Sequence, residues 1–211
     1  MSTARNGTHN FKVVLLGEGS VGKTSLLLRY VEDKFNERHT STLQATFLNK
    51  KINLNDKRIN LAIWDTAGQE KFHALGPIYY RNSNGAILVY DITEADSFVK
   101  VKNWVKELRR MLGSDIVLII AGNKIDLEHE QAVPTEEAES FSKSVGAQHY
   151  YTSAKVNYGI EELFLVLAQL MLQKYEQGSQ TNHEASRASQ VLIVDDEEPA
   201  HRSCCFNSSR I

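Results

Sequence analysis

Hydrophobic positions along the chain fall into two rhythms. Solid apolar runs at 13–16, 85–91 and 116–121, and a shorter one at 148–152, have the composition of strands buried on both faces. Stretches with apolar residues three and four apart, at 25–30, 97–112, 135–145 and 160–175, predict helices. The inward stripe of 97–112 is Phe98, Val101, Trp104, Val105, Leu108, Met111 and Leu112. That of 160–175 is Ile160, Leu163, Phe164, Leu167, Leu170 and Met171. Early in the chain the pattern turns to alternation, through Phe47, Leu48 and Ile52 in 42–54 and Ile59, Leu61 and Ile63 in 58–64. Asn55-Asp56-Lys57 between them is a turn by composition, so the two strands predict an antiparallel hairpin. Residues 70–84 carry Phe72, Tyr79 and Tyr80 with no clean period and read as a loop and a short helix. Strands alternating with helices predict an α/β fold: a six-stranded, mostly parallel sheet with one antiparallel strand and helices on both faces.

The two ends lack either rhythm. Residues 1–10 form a polar, disordered lead; 11–177 form one domain; 178–211 form a polar, flexible tail interrupted by the apolar run 191–194. A chain of 211 residues, 42% hydrophobic and 24% charged, suits one soluble domain plus a tail. A net charge of -2 with no basic block argues against nucleic acid as a partner. No apolar run approaches bilayer length, and the polar start is no signal peptide. The two cysteines, Cys204 and Cys205, are adjacent, so they neither staple a fold nor supply a four-ligand metal site. A cytosolic protein is expected, and the sequons at Asn6 and Asn207 are read as accidental.

Candidate chemistry begins after the first apolar run. KVVLLGEGSVGKT places Gly17-x-x-x-x-Gly22-Lys23-Thr24 between a strand and a helix, the context of a phosphate-binding loop. Glycines let successive N–H groups turn inward, and the helix N-terminus adds partial positive charge. Lys23 supplies a full charge to the β- and γ-phosphates and Thr24 a hydroxyl to Mg²⁺. Gly17-x-Gly19-x-x-Gly22 also satisfies the dinucleotide fingerprint. That reading needs a strand ending in an acid about 20 residues on, whereas 33–42 is polar and turn-like, and it leaves Lys23-Thr24 unexplained.

Further along, Asp65-Thr66-Ala67-Gly68-Gln69 closes the third strand. Asp65 is placed to hold Mg²⁺, Gly68 to bring its N–H to a terminal phosphate, and Gln69 to orient a water. Asn123-Lys124-Ile125-Asp126 follows the fifth strand. The Asp126 carboxylate matches the N1–H and 2-amino donors of guanine, a pair that adenine lacks. Lys124 has an aliphatic stem to lay along the base, and Ser153-Ala154-Lys155 has backbone N–H groups for the guanine oxygen. All these motifs sit at the carboxyl ends of strands, where open α/β sheets bind ligands.

GEGSVGKT, DTAGQE, NKID and TSAK together resemble the nucleotide motifs of Ras-type small GTPases. WDTAGQE, YYRNS, LVYDIT and the Cys-Cys pair look like the Rab family, and HALGPIYYRNSNGAILVYDIT with VKNWVKELRRML looks closest to its early-endosomal branch, subgroup twenty-one. The resemblance covers about 11–175 and implies the P-loop GTPase fold and a GTP-hydrolysing switch in endosomal vesicle traffic. The alternative is a scaffold that holds GDP or GTP without meaningful turnover.

The resemblance adds Ser20, Val21 and Ser25 to the GTP-binding loop, sets Phe35 beside the guanine, and makes Thr42 a Mg²⁺ ligand that senses the γ-phosphate. It gives Gln69 the catalytic role, and makes Gly19 the position where a side chain would crowd Gln69 and an activating protein. Phe47, Trp64 and Tyr79 resemble the aromatic triad through which Rabs read effectors. Implied partners are an exchange factor, a GTPase-activating protein, effectors, the escort protein that presents Rabs for lipidation, and the GDP-dissociation inhibitor. Residues 191–194 read either as a leftover apolar patch or as a docking segment for the escort protein. Cys204 and Cys205 would carry prenyl groups; with no polybasic patch, one lipid binds only marginally and a second is needed for anchoring. Six residues follow the pair and 208–211 is not a CaaX box, so an unmodified pair is the other reading. The first switch reads Thr42-Leu43-Gln44 where most Rabs have Ile-Gly after the threonine. No arginine finger is identifiable in the chain, so hydrolysis should be slow until a partner supplies one, a gain of about 10³–10⁵.

Overall fold

The computed structural model describes residues 7–37, 42, 45–66 and 76–189. Six strands form one sheet: β1 (Thr8–Leu16), β2 (Thr46–Leu54), β3 (Lys57–Asp65), β4 (Gly85–Asp91), β5 (Val117–Asn123) and β6 (Gln148–Thr152). Their order is β2-β3-β1-β4-β5-β6. Only β2 runs antiparallel to its neighbour. It does so because Asn55 and Asp56 both take positive φ, 49° and 61°, and close a two-residue hairpin whose twist matches the strands.

The helices are α1 (Lys23–Glu32), α2 (Gly76–Tyr80), α3 (Ala95–Leu112), α4 (Thr135–Ser144) and α5 (Ile160–Ser189). A 3₁₀ segment, Ile125–Glu130, follows β5. Alternation on β1 divides the core. Val13 and Leu15 pack with Leu26 and Leu27 of α1 and with Leu163, Phe164 and Leu167 of α5. Val14 and Leu16 face the other way, toward Phe98, Val101, Val105 and Leu108 of α3. A sheet so covered on both faces requires the solid apolar runs seen in β4 and β5.

Three boundaries depart from the sequence reading. β1 begins at Thr8, inside the stretch read as a polar lead, because Thr8, His9 and Asn10 find ladder partners in Arg58, Ile59 and Asn60. β2 begins at Thr46 rather than 42. The compact unit closes at Lys174, yet α5 continues as helix to Ser189, into the stretch read as a linker. Gly178 is the one strong break in that run, and a single glycine costs a helix only about 1 kcal/mol against alanine. Met111 does not join the core; it is 50% exposed. In its turn Arg109 reaches across to the carbonyls of Ser114, Ile116 and Val145, while Leu108 and Leu112 keep the apolar face of the helix end on the core.

One half-buried group makes the fold sensitive to pH. His149 on β6 meets the Tyr90 hydroxyl through Nε2 at 3.0 Å and packs edge-on against Tyr151. Burial pushes its pKa down to about 4, against a weaker upward pull from Glu139. The unfolded chain, titrating near 6.5, binds the proton first, so stability falls as pH drops through 6.5 toward 4. The expected loss at pH 5 is about 2 kcal/mol. Thermal melts in saturating GDP at pH 7 and pH 5 should show it, and His149→Gln should remove most of the difference. Equal pH dependence in both proteins would place the titrating group elsewhere.

Candidate nucleotide-binding site

The loop between β1 and α1 is built around two glycines that no other residue could replace. Gly17 has φ +149°, and a Cβ there would lie 2.2 Å from the Val89 carbonyl oxygen. Gly22, the N-cap of α1, has φ +95°, and its Cβ would lie 2.4 Å from Asn123 Nδ2. The loop curls over Lys23, whose Nζ donates to the carbonyls of Gly17 at 2.9 Å and Glu18 at 2.8 Å. The Lys23 side chain is buried, which pulls its pKa down to about 8, while Asp65 and Glu18 hold it up. An ammonium so placed, at the first turn of a helix, is a seat for an anion of high charge. Around Gly19 no described atom lies within 4 Å of a built Cβ, so the loop opens there.

Three oxygens meet just beside it. Thr24 Oγ1 donates to Asp65 Oδ2 at 2.6 Å and lies 2.7 Å from Thr42 Oγ1. Two hydroxyls and a carboxylate from α1, β3 and the segment before β2 are the hard donors that Mg²⁺ selects. Among the described residues no cluster of three or more His, Cys, Asp or Glu stands ready for a metal. With one carboxylate and two hydroxyls, the set fits a cation that completes its shell with phosphate oxygens and water, as Mg²⁺ does on nucleotides.

The far end is framed by β5 and β6. Asn123 is buried and acts as a tie: its Nδ2 donates to the Val21 carbonyl at 2.9 Å, and its Oδ1 accepts from Thr152 Oγ1 at 3.2 Å. Lys124 takes a left-handed φ of 69° and its Nζ pairs with Asp91 Oδ2 at 2.5 Å, which pins the aliphatic stem. Asp126 Oδ1 accepts from Ser153 Oγ at 2.5 Å, so the carboxylate is held from behind by the next loop.

These residues enclose a cleft of about 510 Å³. Gly19, Ser20, Gly22, Lys23, Thr24, Ser25, Phe35, Thr42, Asn123, Lys124, Asp126, Ala154 and Lys155 line it, joined by Glu18, Asn36, Glu37 and Leu127. Gly17, Val21, Asp65 and Ser153 stand one layer behind, each holding a lining residue in place. Gly68, Gln69, Cys204 and Cys205 lie outside the described residues. Two contributors escaped the sequence reading. Asp91, read only as the end of a buried strand, is the anchor of Lys124. Arg29 on α1 reaches the carbonyls of Ala154 and Lys155. The signal available for Asp91 was a carboxylate closing a strand at the ligand edge.

Away from the cleft, the rings of Phe47, Trp64 and Tyr79 form one row, with centroids 5.5 Å and 6.3 Å apart. Phe47 and Trp64 are direct cross-strand partners on β2 and β3, and Phe47 is 48% exposed. Lys12 Nζ sits 5.1 Å from the Trp64 ring centre and donates to the Arg81 carbonyl at 2.8 Å.

A phosphate-binding loop at the end of the first strand of such a sheet, with a hard-oxygen cluster on one side and an Asp-bearing base end on the other, defines a P-loop nucleotide-binding protein. The Ras family model matches residues 12–173. The Ras-related protein Rab-21 of Bos taurus is 61% identical over 96% of this chain and 95% of its own length. Rab-21 of Homo sapiens is 62% identical over 93% and 91%, and that of Dictyostelium discoideum 53% identical over 94% and 97%. The chain belongs to the Ras family and, within it, to the Rab-21 subgroup of small GTPases. It binds guanine nucleotide, hydrolyses GTP to GDP and phosphate, and serves as a switch in vesicle trafficking, with regulators and effectors as its kinds of partner. A nucleotide scaffold without turnover is not favoured by that membership. No helix among the described residues is long and apolar enough to cross a membrane.

Proposed function

We propose that this GTPase is a Mg²⁺-dependent switch on the cytoplasmic face of endosomal membranes, cycling with the cytosol. The observation that carries the switch is the contact of Thr42 with Thr24, itself bonded to Asp65. Thr42 lies just before β2, whose Phe47 pairs with Trp64. A segment held at Thr42 by the terminal phosphate and its cation would let go when that phosphate leaves, and the aromatic row of Phe47, Trp64 and Tyr79 would lose one edge of its support. Bound at Thr24, Thr42 and Asp65, Mg²⁺ would neutralise the charge that develops on the phosphate oxygens. Lys23 and the loop amides hold the phosphates, Gln69 orients the attacking water, and Asp126 with Lys124, Phe35, Ser153, Ala154 and Lys155 selects guanine.

In this reading the unit that takes in β1 from Thr8 and closes at Lys174 is the switch domain, and the chain beyond it serves as spacer to the cysteines. Prenyl groups on Cys204 and Cys205 supply the anchor, and the escort protein and GDP-dissociation inhibitor handle the lipidated chain. Exchange factor, activating protein and effectors meet the switch face. A fluorescent fusion of the full chain in a eukaryotic cell tests the whole reading. Wild type should mark endosomes, Cys204→Ser/Cys205→Ser should be diffuse, and Gln69→Leu should stay on membranes longer while its single-turnover hydrolysis slows. A double serine variant that still marks membranes, or a wild type on another compartment, would overturn it.

A further inference from the structure

We propose that Arg29 is a positioning residue that sets how long the nucleotide stays bound, by clasping the base loop 153–155 from behind. The inference rests on the reading of that loop as the guanine contact. Arg29 lies in the last turn of α1, and its guanidinium spends its donors on two segments. Nε donates to the Ala154 carbonyl at 3.0 Å and Nη2 to the Lys155 carbonyl at 3.3 Å. Nη1 donates to the Asp33 carbonyl at 3.2 Å and to Asp33 Oδ1 at 2.9 Å.

Two consecutive loop carbonyls on one side and the Asp33 carbonyl and carboxylate on the other are a set that the five spread donors of a guanidinium meet at once, whereas the single nitrogen of an ammonium cannot reach both sides. The geometry also orients the loop. In a trans peptide the C=O and the next N–H point opposite ways, so drawing the Ala154 carbonyl toward α1 turns the Lys155 N–H away from α1. Ala154 and Lys155 both line the cleft. The Arg29 side chain is only 16% exposed, so these charge-assisted bonds are poorly screened.

The same group joins the base end to the start of the first switch. The Arg29 guanidinium lies 6.0 Å from the Phe35 ring, and Lys155 Nζ lies 3.7 Å from Glu37 Oε1. Asp33, the C-cap of α1, has a left-handed φ of 52° and returns its N–H to the Arg29 carbonyl. Helix end, Phe35 and base loop thus share one anchor, and opening of the loop must break it.

Release of mant-GDP from the full chain, chased with excess GDP in Mg²⁺, tests the clasp. Arg29→Gln should release nucleotide about tenfold faster, a factor equivalent to about 1.4 kcal/mol, with association unchanged. Arg29→Lys, whose single ammonium cannot reach both the loop carbonyls and Asp33, should fall between. Arg109→Gln is the control: that arginine also binds three carbonyls but at the far end of α3, so it should lower the melting temperature and leave release alone. Unchanged release in Arg29→Gln would overturn the inference, as would equal acceleration in Arg109→Gln, which would mark a general loss of stability. Stoichiometric GDP on the wild-type protein separates either failure from a failure of the guanine site itself.

Discussion

Lys23→Met should lose nucleotide by about a thousandfold without losing the fold. Breaking a buried, hydrogen-bonded ion pair costs about 3–5 kcal/mol, and each 1.4 kcal/mol is a factor of ten in affinity. The Lys23 ammonium is the only side-chain cation reaching into the loop among the described residues that line it beside the phosphate end, and its Nζ already draws two loop carbonyls inward. Methionine keeps the stem and its packing but carries neither the charge nor the donors. Burial works against the charged lysine in the empty protein, as its lowered pKa of about 8 records. The variant should therefore melt, without ligand, at or above the wild-type temperature. Wild type gains stability as nucleotide is added, by RT ln(1 + [L]/Kd). In the variant the same rise should need about a thousandfold more GDP. A variant that still carries stoichiometric GDP through purification would show that backbone amides and the helix end suffice.

The contrast between those two effects follows from what could and could not be read along the chain. Solid runs and the alternating hairpin specify the sheet because burial on two faces or one leaves a period that any reader can count. Gly17 and Gly22 are legible for a similar reason: each has a positive φ and no room for a Cβ, against the Val89 carbonyl oxygen at 2.2 Å and Asn123 Nδ2 at 2.4 Å. What escaped depends on neighbours far away in sequence. Thr8 joins a strand because Arg58 offers it a ladder partner, and Met111 stands outside the core because Leu108 and Leu112 already fill the face that α3 turns to it. Nothing in the sequence marks Arg29, and only the approach of residues more than a hundred positions on makes it part of the site. The placing of Gly17, Val21, Asp65 and Ser153 behind the lining illustrates the same limit. Spacing names the residues a site needs, but it does not say which of them touch the ligand and which hold the ones that do.

Asp126→Asn should exchange guanine for xanthine. Guanine presents two adjacent donors, N1–H and the 2-amino group, and a carboxylate offers two acceptors to meet them. An amide offers one acceptor and one donor, so one face of the pair becomes donor against donor in a half-buried site. Sites built for a hydrogen-bonding group reject a mismatched analogue by about 10⁴–10⁵. Xanthine carries an oxygen in place of the 2-amino group and restores the match. Little else should change. Ser153 Oγ still finds an oxygen at position 126, Lys124 remains pinned by Asp91, and Arg29 still holds 154–155. Phosphate and cation contacts are untouched at the other end of the cleft. Displacement of mant-GDP by GDP and by XDP, in wild type and variant, measures the exchange. The expected result is a reversal, with XDP the tighter ligand of the variant. A variant that merely weakens GDP without gaining XDP would show that Asp126 supports the loop rather than reads the base, and one that keeps its preference for GDP would remove Asp126 from the site.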